Sequence, residues 1–341
     1  MPYKLFKAQE RSFVESLFKK NIVSYFPDLK EQIIKEIKIK RISPGWAKET
    51  CLVKYKIILQ GGEEKIVRGT AERDNSKKKV WKIMKFIYEE GLKSDKVLCA
   101  RPLDFIHKNN ILLYEEAEGT PLYRIIEKKR YSEIRKVLKK VTTWLKDIHS
   151  LNASKKRFRN TPWLGEDDYQ YCFQQLAKIV PEFEKEAPIF SDLSFLANIQ
   201  DYSNKKLIHG DFYPGNAIIK NNNVAGIDFD KSGLGPELMD IATLSASFDF
   251  PSSIWQIRLS KKEREGIQDF LWKEYCSREG LNRKKENILL PLLCKVFLDR
   301  IYDYSEFLIK GWDSMSSQGK KDFSEKIKSL IEKFKKYYSQ I

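Results

Sequence analysis

His209, Asp211, Asn216, Asp228 and Asp230 fall within one stretch, residues 207–230. It reads Leu-Ile-His-Gly-Asp-Phe-Tyr-Pro-Gly-Asn-Ala-Ile-Ile, then a polar turn, then Val-Ala-Gly-Ile-Asp-Phe-Asp. Two apolar runs, 217–219 and 224–227, flank turn chemistry at 220–223, which predicts a short β-hairpin with its polar residues at the ends. Asn216 enters the first strand and Asp228 leaves the second, so antiparallel pairing would bring both to one edge. Phosphoryl transfer needs a set of this kind. One carboxylate, Asp211, accepts the proton of a hydroxyl acceptor; an Asn and a second Asp, Asn216 and Asp228, hold Mg²⁺ against nucleotide phosphates. Either residue alone would read as a hairpin cap, and only the set points to chemistry.

His209-Gly210-Asp211 with Asn216, followed by Ile227-Asp228-Phe229-Asp230, resembles the catalytic segment of the aminoglycoside phosphotransferase and choline kinase superfamily. These are small-molecule kinases with a protein-kinase-like fold. The resemblance covers about residues 38–245 and is strongest at 207–245. It implies an α+β, bilobal architecture with a small antiparallel-sheet N-lobe and a mainly helical C-lobe. It also implies ATP or GTP with Mg²⁺ as cofactors and a small-molecule hydroxyl acceptor. His209 would buttress the loop by hydrogen bonding, and Asp230 would support the metal through water or the loop. Asp240, in Gly233-Leu234-Gly235-Pro236-Glu237-Leu238-Met239-Asp240-Ile241-Ala242, would brace the catalytic loop.

The elements that must position this segment are legible upstream. Residues 5–37 carry apolar residues at three- and four-residue steps, interrupted near Phe26-Pro27, and predict a helical extension over 1–37. From Lys38 the period changes to two. Strands are expected over 37–42, 50–59 and 65–72, within an N-lobe over 38–118. Gly45, in the turn Ser43-Pro44-Gly45-Trp46, would lie over the phosphates. The third strand of such a lobe normally supplies a Lys that pairs with a helix Glu. Here the candidates, two apart, are Arg68, Thr70 and Glu72, and the helix that follows opens with Lys77-Lys78-Lys79 where the Glu is expected. Arg68 can grip phosphate bidentately and is the substitute. By the resemblance, the linker Glu115-Glu116-Ala117-Glu118-Gly119 places the adenine against the backbone of Glu115 and Ala117. The C-lobe would occupy 119–341, with a helix over 131–151 ending at a structural His149 and helices beyond 252 walling the acceptor site.

Composition narrows the class. A 341-residue chain with 42% hydrophobic residues has material for a real core. No apolar run approaches a membrane span, the first residues are too polar for a signal peptide, and no membrane role is expected. Five scattered cysteines, none in a Cys-x-x-Cys pair, read as reduced thiols of a cytoplasmic protein. The net charge of +16 is uneven: the first 160 residues are strongly basic, whereas 161–240 is net acidic. That split makes a nucleic-acid partner unlikely. The acidic third is compatible with a cationic acceptor, while sugars, amino alcohols and phosphorylated metabolites stay open. A nucleotide-binding pseudokinase or scaffold is the competing reading, motivated by the missing Lys–Glu pair.

Overall fold

The computed structural model describes residues 7–29, 33–43, 50–72, 76–94, 96–128, 130–153, 158–161, 163–200, 205–221, 223–250, 259–276 and 283–341. The chain forms two compact units, Met1–Gly119 with Ile218–Ser232, and Thr120–Ala217 with Gly233–Ile341. The segment carrying Asp228 and Asp230 therefore belongs with the N-terminal sheet, and the one carrying Asp211 and Asn216 with the helices.

In the first unit, helix α1 (Arg11–Tyr25) precedes strands β1 (Ile34–Arg41), β2 (Thr50–Leu59) and β3 (Glu64–Glu72). Helix α2 (Ser76–Lys93) follows, then β4 (Pro102–Ile106) and β5 (Ile111–Glu115). The sheet order is β1-β2-β3-β5-β4 and every pairing is antiparallel. Strand β2 alternates strictly, with Cys51, Val53, Tyr55, Ile57 and Leu59 buried. That face receives Val14, Phe18 and Ile22 of α1, and Phe18 meets the Tyr55 ring edge-on at 5.3 Å. Each such side chain contributes roughly 1.5–3 kcal/mol by leaving water. The opposite face of β3 presents Arg68, Thr70 and Glu72.

Ile33, Ile34 and Ile37, expected to be helical, are not. Ile34 opens β1, where it pairs with Leu59, and a bulge between Ile34 and Glu36 shifts the alternation. That bulge is why the spacing mimicked a helical step. Strand β4 had no sequence signal. It begins at a proline and buries only Phe105 fully, so no alternation marks it. The hairpin forms as read, from Ala217–Lys220 and Asn223–Gly226. Gly226 ties it into the unit by accepting from the Ala100 amide and donating to Leu98 O at 3.0 Å. Gly119, ending the linker, has φ +137°, and a Cβ there would sit 2.4 Å from Ile219 O.

The second unit is built on α3 (Tyr131–Ser150), which buries Ile134, Leu138, Val141, Leu145 and Ile148 along one stripe. Helix α4 (Glu166–Ile179) is capped at Gly165, whose amide donates to the Asp168 carboxylate. Strands β6 (Lys205–Ile208) and β7 (Gly233–Pro236) pair antiparallel, and the loop that carries His209, Asp211 and Asn216 leaves from the end of β6. Helix α5 (Leu238–Ala246) is buried on all sides. Helices α6 (Lys261–Cys276), α7 (Arg283–Gly311) and α8 (Ser317–Tyr338) complete the unit. Among the described residues no helix is long and apolar enough to cross a membrane.

Candidate active site

The loop leaving β6 is held from behind by one carboxylate. Asp240, fully buried in the first turn of α5, accepts the His209 amide at 2.7 Å and the Gly210 amide at 2.8 Å. The His149 Nε2 lies 2.9 Å from the same carboxylate, and its Nδ1 lies 2.5 Å from the Tyr275 hydroxyl. An Asp acceptor fixes the proton on Nε2, so Nδ1 accepts from Tyr275. Burial works to raise the Asp240 pKa, but the hydrogen bonds from His149 and the His209 amide outweigh it and hold the group below its usual range. Gly210 takes φ +82°, a conformation that turns the chain so that both amides face Asp240. The bonding of His209 to this brace is through its backbone. Its ring meets Phe212 edge-on, centroids 5.4 Å apart, and lies 6.4 Å from Trp144, which is itself stacked on Phe212 at 4.7 Å.

Beyond the turn, the loop is closed by Asn216. Its Nδ2 donates to Asp211 O at 3.0 Å and its amide to Tyr213 O at 2.9 Å, and the residue is 4% exposed. With the nitrogen committed, the amide oxygen is left as a hard donor for a cation. The Asp211 carboxylate pairs with Arg300 of α7, which also reaches Asp303 at 3.3 Å. The Arg300 guanidinium lies 4.9 Å from the Tyr213 ring centroid and 5.8 Å from that of Phe250. Burial opposes its charge, yet Asp211 and then Asp303 more than compensate, so the guanidinium is held firmly protonated. No sequence signal singled out Arg300, which arrives from a helix 89 positions away.

In the first unit, Asp228 follows the hairpin with φ +64°, in the left-handed region that Asp tolerates better than most residues. Phe229 anchors the segment with no exposed surface. Asp230 pairs with Lys77 at 2.5 Å, and Lys77 lies 2.9 Å from Glu72. The Lys77 side chain is 3% exposed, against 44% for Asp230. Burial works against the charge, but Asp230 and Glu72 outweigh it and raise the pKa. On the same sheet face Tyr114 is hydrogen-bonded by Thr70. Burial raises its phenol, Asp228 is near enough to add to the rise, and Arg68 and Lys77 oppose it.

Several expected positions read differently in three dimensions. Arg68 pairs with Glu116, just past the end of β5, which also binds Lys54 at 2.9 Å, so this guanidinium already has a carboxylate partner. The Glu115 amide donates to Arg101 O at 2.9 Å because Glu115 still belongs to β5. Its N–H is thus not open to a base edge. Ala117 lies past the strand end and makes no backbone hydrogen bond among the described residues. Gly45 lies outside the described residues. Among the described residues no three His, Cys, Asp or Glu side chains gather as a metal cage. Mg²⁺ needs no such cage, since it keeps several waters and takes one or two carboxylates with substrate phosphates; Asn216 in the second unit and Asp228 in the first each carry a hard oxygen of the kind it takes.

An antiparallel five-stranded sheet with helices α1 and α2 in its unit, and a helical unit that carries a braced His-Gly-Asp loop, define the protein-kinase-like class. The chain belongs to the phosphotransferase enzyme family (APH), whose pattern matches residues 38–271. It is a small-molecule phosphotransferase of that family. No curated protein matches its sequence. Among solved structures it is similar to an ethanolamine kinase of Plasmodium vivax, at 15% identity and TM-score 0.62 over 97% of this chain and 92% of that one. It is also similar to the choline kinase of Cryptosporidium parvum, at 13% identity and TM-score 0.60 over 97% and 96%. An ADP-bound aminoglycoside phosphotransferase, APH(2'')-Ib, aligns at 16% identity and TM-score 0.56 over 95% and 99%.

Proposed function

We propose that this enzyme transfers the γ-phosphoryl group of ATP, or GTP, with Mg²⁺, to a hydroxyl of a small-molecule acceptor. The observation that carries the reading is the loop itself. Asp240 fixes its two leading amides, Asn216 ties back to Asp211 O, and the Asp211 carboxylate stands paired with Arg300. ADP is bound in one structural neighbour and AMP-PNP in another, an amicoumacin kinase, which supports adenine nucleotide as donor.

In this reading the acceptor hydroxyl hydrogen-bonds to Asp211. Its oxygen bonds to the γ-phosphorus as the bridging P–O bond to the nucleotide breaks, and the hydroxyl proton passes to Asp211 and on to solvent. Such transfers have loose transition states, so positioning the hydroxyl matters more than strong basicity, and a carboxylate held by a guanidinium suffices. Asn216 and Asp228 are the residues that would hold Mg²⁺, which supplies charge neutralisation at the phosphates; Asp230 would support it indirectly. The Glu115 carbonyl and the backbone at Ala117 are the candidates for the base edge.

The test is release of nucleoside diphosphate, ADP from ATP and GDP from GTP, over amino alcohols, sugars, aminoglycosides and phosphorylated metabolites. Asp211→Asn should lower turnover by several powers of ten while thermal unfolding stays near wild type. An Asp211→Asn protein as active as wild type would remove the assignment.

A further inference from the structure

We infer that Lys77 is the cation that receives the nucleotide phosphates, with Glu72 as its positioning partner, so that the lysine–glutamate pair of this fold is present with its ends exchanged. The inference rests on the phosphotransferase reading and adds to it a residue outside the sequence pattern. A kinase lobe ordinarily draws the lysine from its third strand and the glutamate from the following helix. Here the third strand supplies Glu72 and the first turn of α2 supplies Lys77, 2.9 Å apart.

Lys77 is in an unfavourable position for a lysine that only solvates a helix. Its side chain is buried, while the adjacent Lys78 is exposed. It also sits at the N-terminal end of α2, where the helix dipole repels a cation. Burying an ammonium there demands paired carboxylates, and two are provided. The two are not equivalent. Glu72, on β3, is 20% exposed, whereas Asp230 is 44% exposed and is the partner more open to solvent. Asp230 lies two residues past Asp228, and both Asp228 and Lys77 are close to Tyr114. A phosphate oxygen therefore has a defined route to Lys77: it takes the place of Asp230, an anion for an anion, while Glu72 keeps the ammonium in place.

The test is nucleotide binding by calorimetry on the full chain, with ATP and Mg²⁺, ATP in EDTA, and ADP, alongside thermal unfolding. Lys77→Met should weaken ATP binding at least about tenfold, and Lys77→Arg less, since charge-assisted phosphate contacts are the strong ones. Asp230→Asn should strengthen binding in EDTA, where the anion it removes competes with phosphate. The double exchange Glu72→Lys with Lys77→Glu restores the ordinary polarity of the pair. It should bind ATP better than either single variant. Wild-type affinity in Lys77→Met would overturn the inference, as would unchanged or weaker EDTA binding in Asp230→Asn. Should Lys77→Met fail to fold, the Asp230 and double-exchange proteins still decide. Absence of binding of both ATP and GTP by the wild type, the titration being repeated with GTP, would instead remove the nucleotide-donor reading on which the inference stands.

Discussion

His149 Nε2 lies 2.9 Å from Asp240 Oδ2, and through that carboxylate a helix-end histidine reaches the two amides that lead into Asp211. The arrangement separates two roles within the proposed catalytic loop. Asp211 faces Arg300, while its backbone geometry is set by a fully buried anion. Asp240→Asn keeps the shape but replaces one charged acceptor by a neutral amide that can offer a single oxygen. The expected cost is about 2–4 kcal/mol of stability, from weakening charge-assisted bonds to three donors, together with a fall in kcat larger than any change in KM. Denaturant unfolding and steady-state kinetics check both.

The same group gives a pH signature. The Asp240 pKa is depressed in the folded chain, because hydrogen bonds from His149 and the backbone overcome burial. Its contribution to stability is thus complete above the ordinary aspartate value near 4 and is lost as pH falls through the folded value. The stability difference between wild type and Asp240→Asn should be constant from about pH 5 to 8 and shrink below pH 4. A difference that instead shrinks between pH 6 and 8 would assign the linkage to another group.

Much of this was legible in the sequence because period and turn chemistry are local. The alternation of β2, the hairpin at 217–226 and the stripe of α3 are each written within a dozen residues or so. What failed is non-local. Arg300 meets Asp211 across 89 positions, and nothing near residue 300 announces it. Lys77, Lys78 and Lys79 look alike as letters, and only the helical phase separates the buried one. Even so, Lys77 stands on the stripe of Val80, Met84 and Ile87, all buried, so its place on the apolar face could have been read.

Arg300 should act through the carboxylate it holds. Arg300→Gln leaves Asp211 without its counter-charge and is expected to lower kcat by about ten- to a hundredfold. Arg300→Lys keeps the charge but loses the planar fork stacked on Tyr213, so it should recover only part of the rate. Equal kcat in all three proteins would detach Arg300 from the reaction.

Cys172 and Cys294 are buried, and burial pushes both thiols up to about 12. Reaction with iodoacetamide needs the thiolate. In the native protein at pH 8 both should remain unmodified over hours and become labelled only on unfolding, as read by peptide mass mapping. Labelling of either without loss of structure would show that its helix opens locally.

Gly210 is where fold and chemistry meet in a single backbone angle. At φ +82° a side chain costs about 1–2 kcal/mol, and the strain falls on the amide that Asp240 holds at 2.8 Å. Gly210→Ala can relieve it by relaxing the turn, which releases that amide and shifts Asp211. Stability should therefore fall by no more than the strain itself, whereas kcat should fall further than so small a change implies, because a displaced carboxylate no longer meets the hydroxyl. Thermal unfolding measured beside single-turnover rates separates the two effects. A rate unaffected while stability drops would mean that the loop keeps its geometry and absorbs the strain elsewhere.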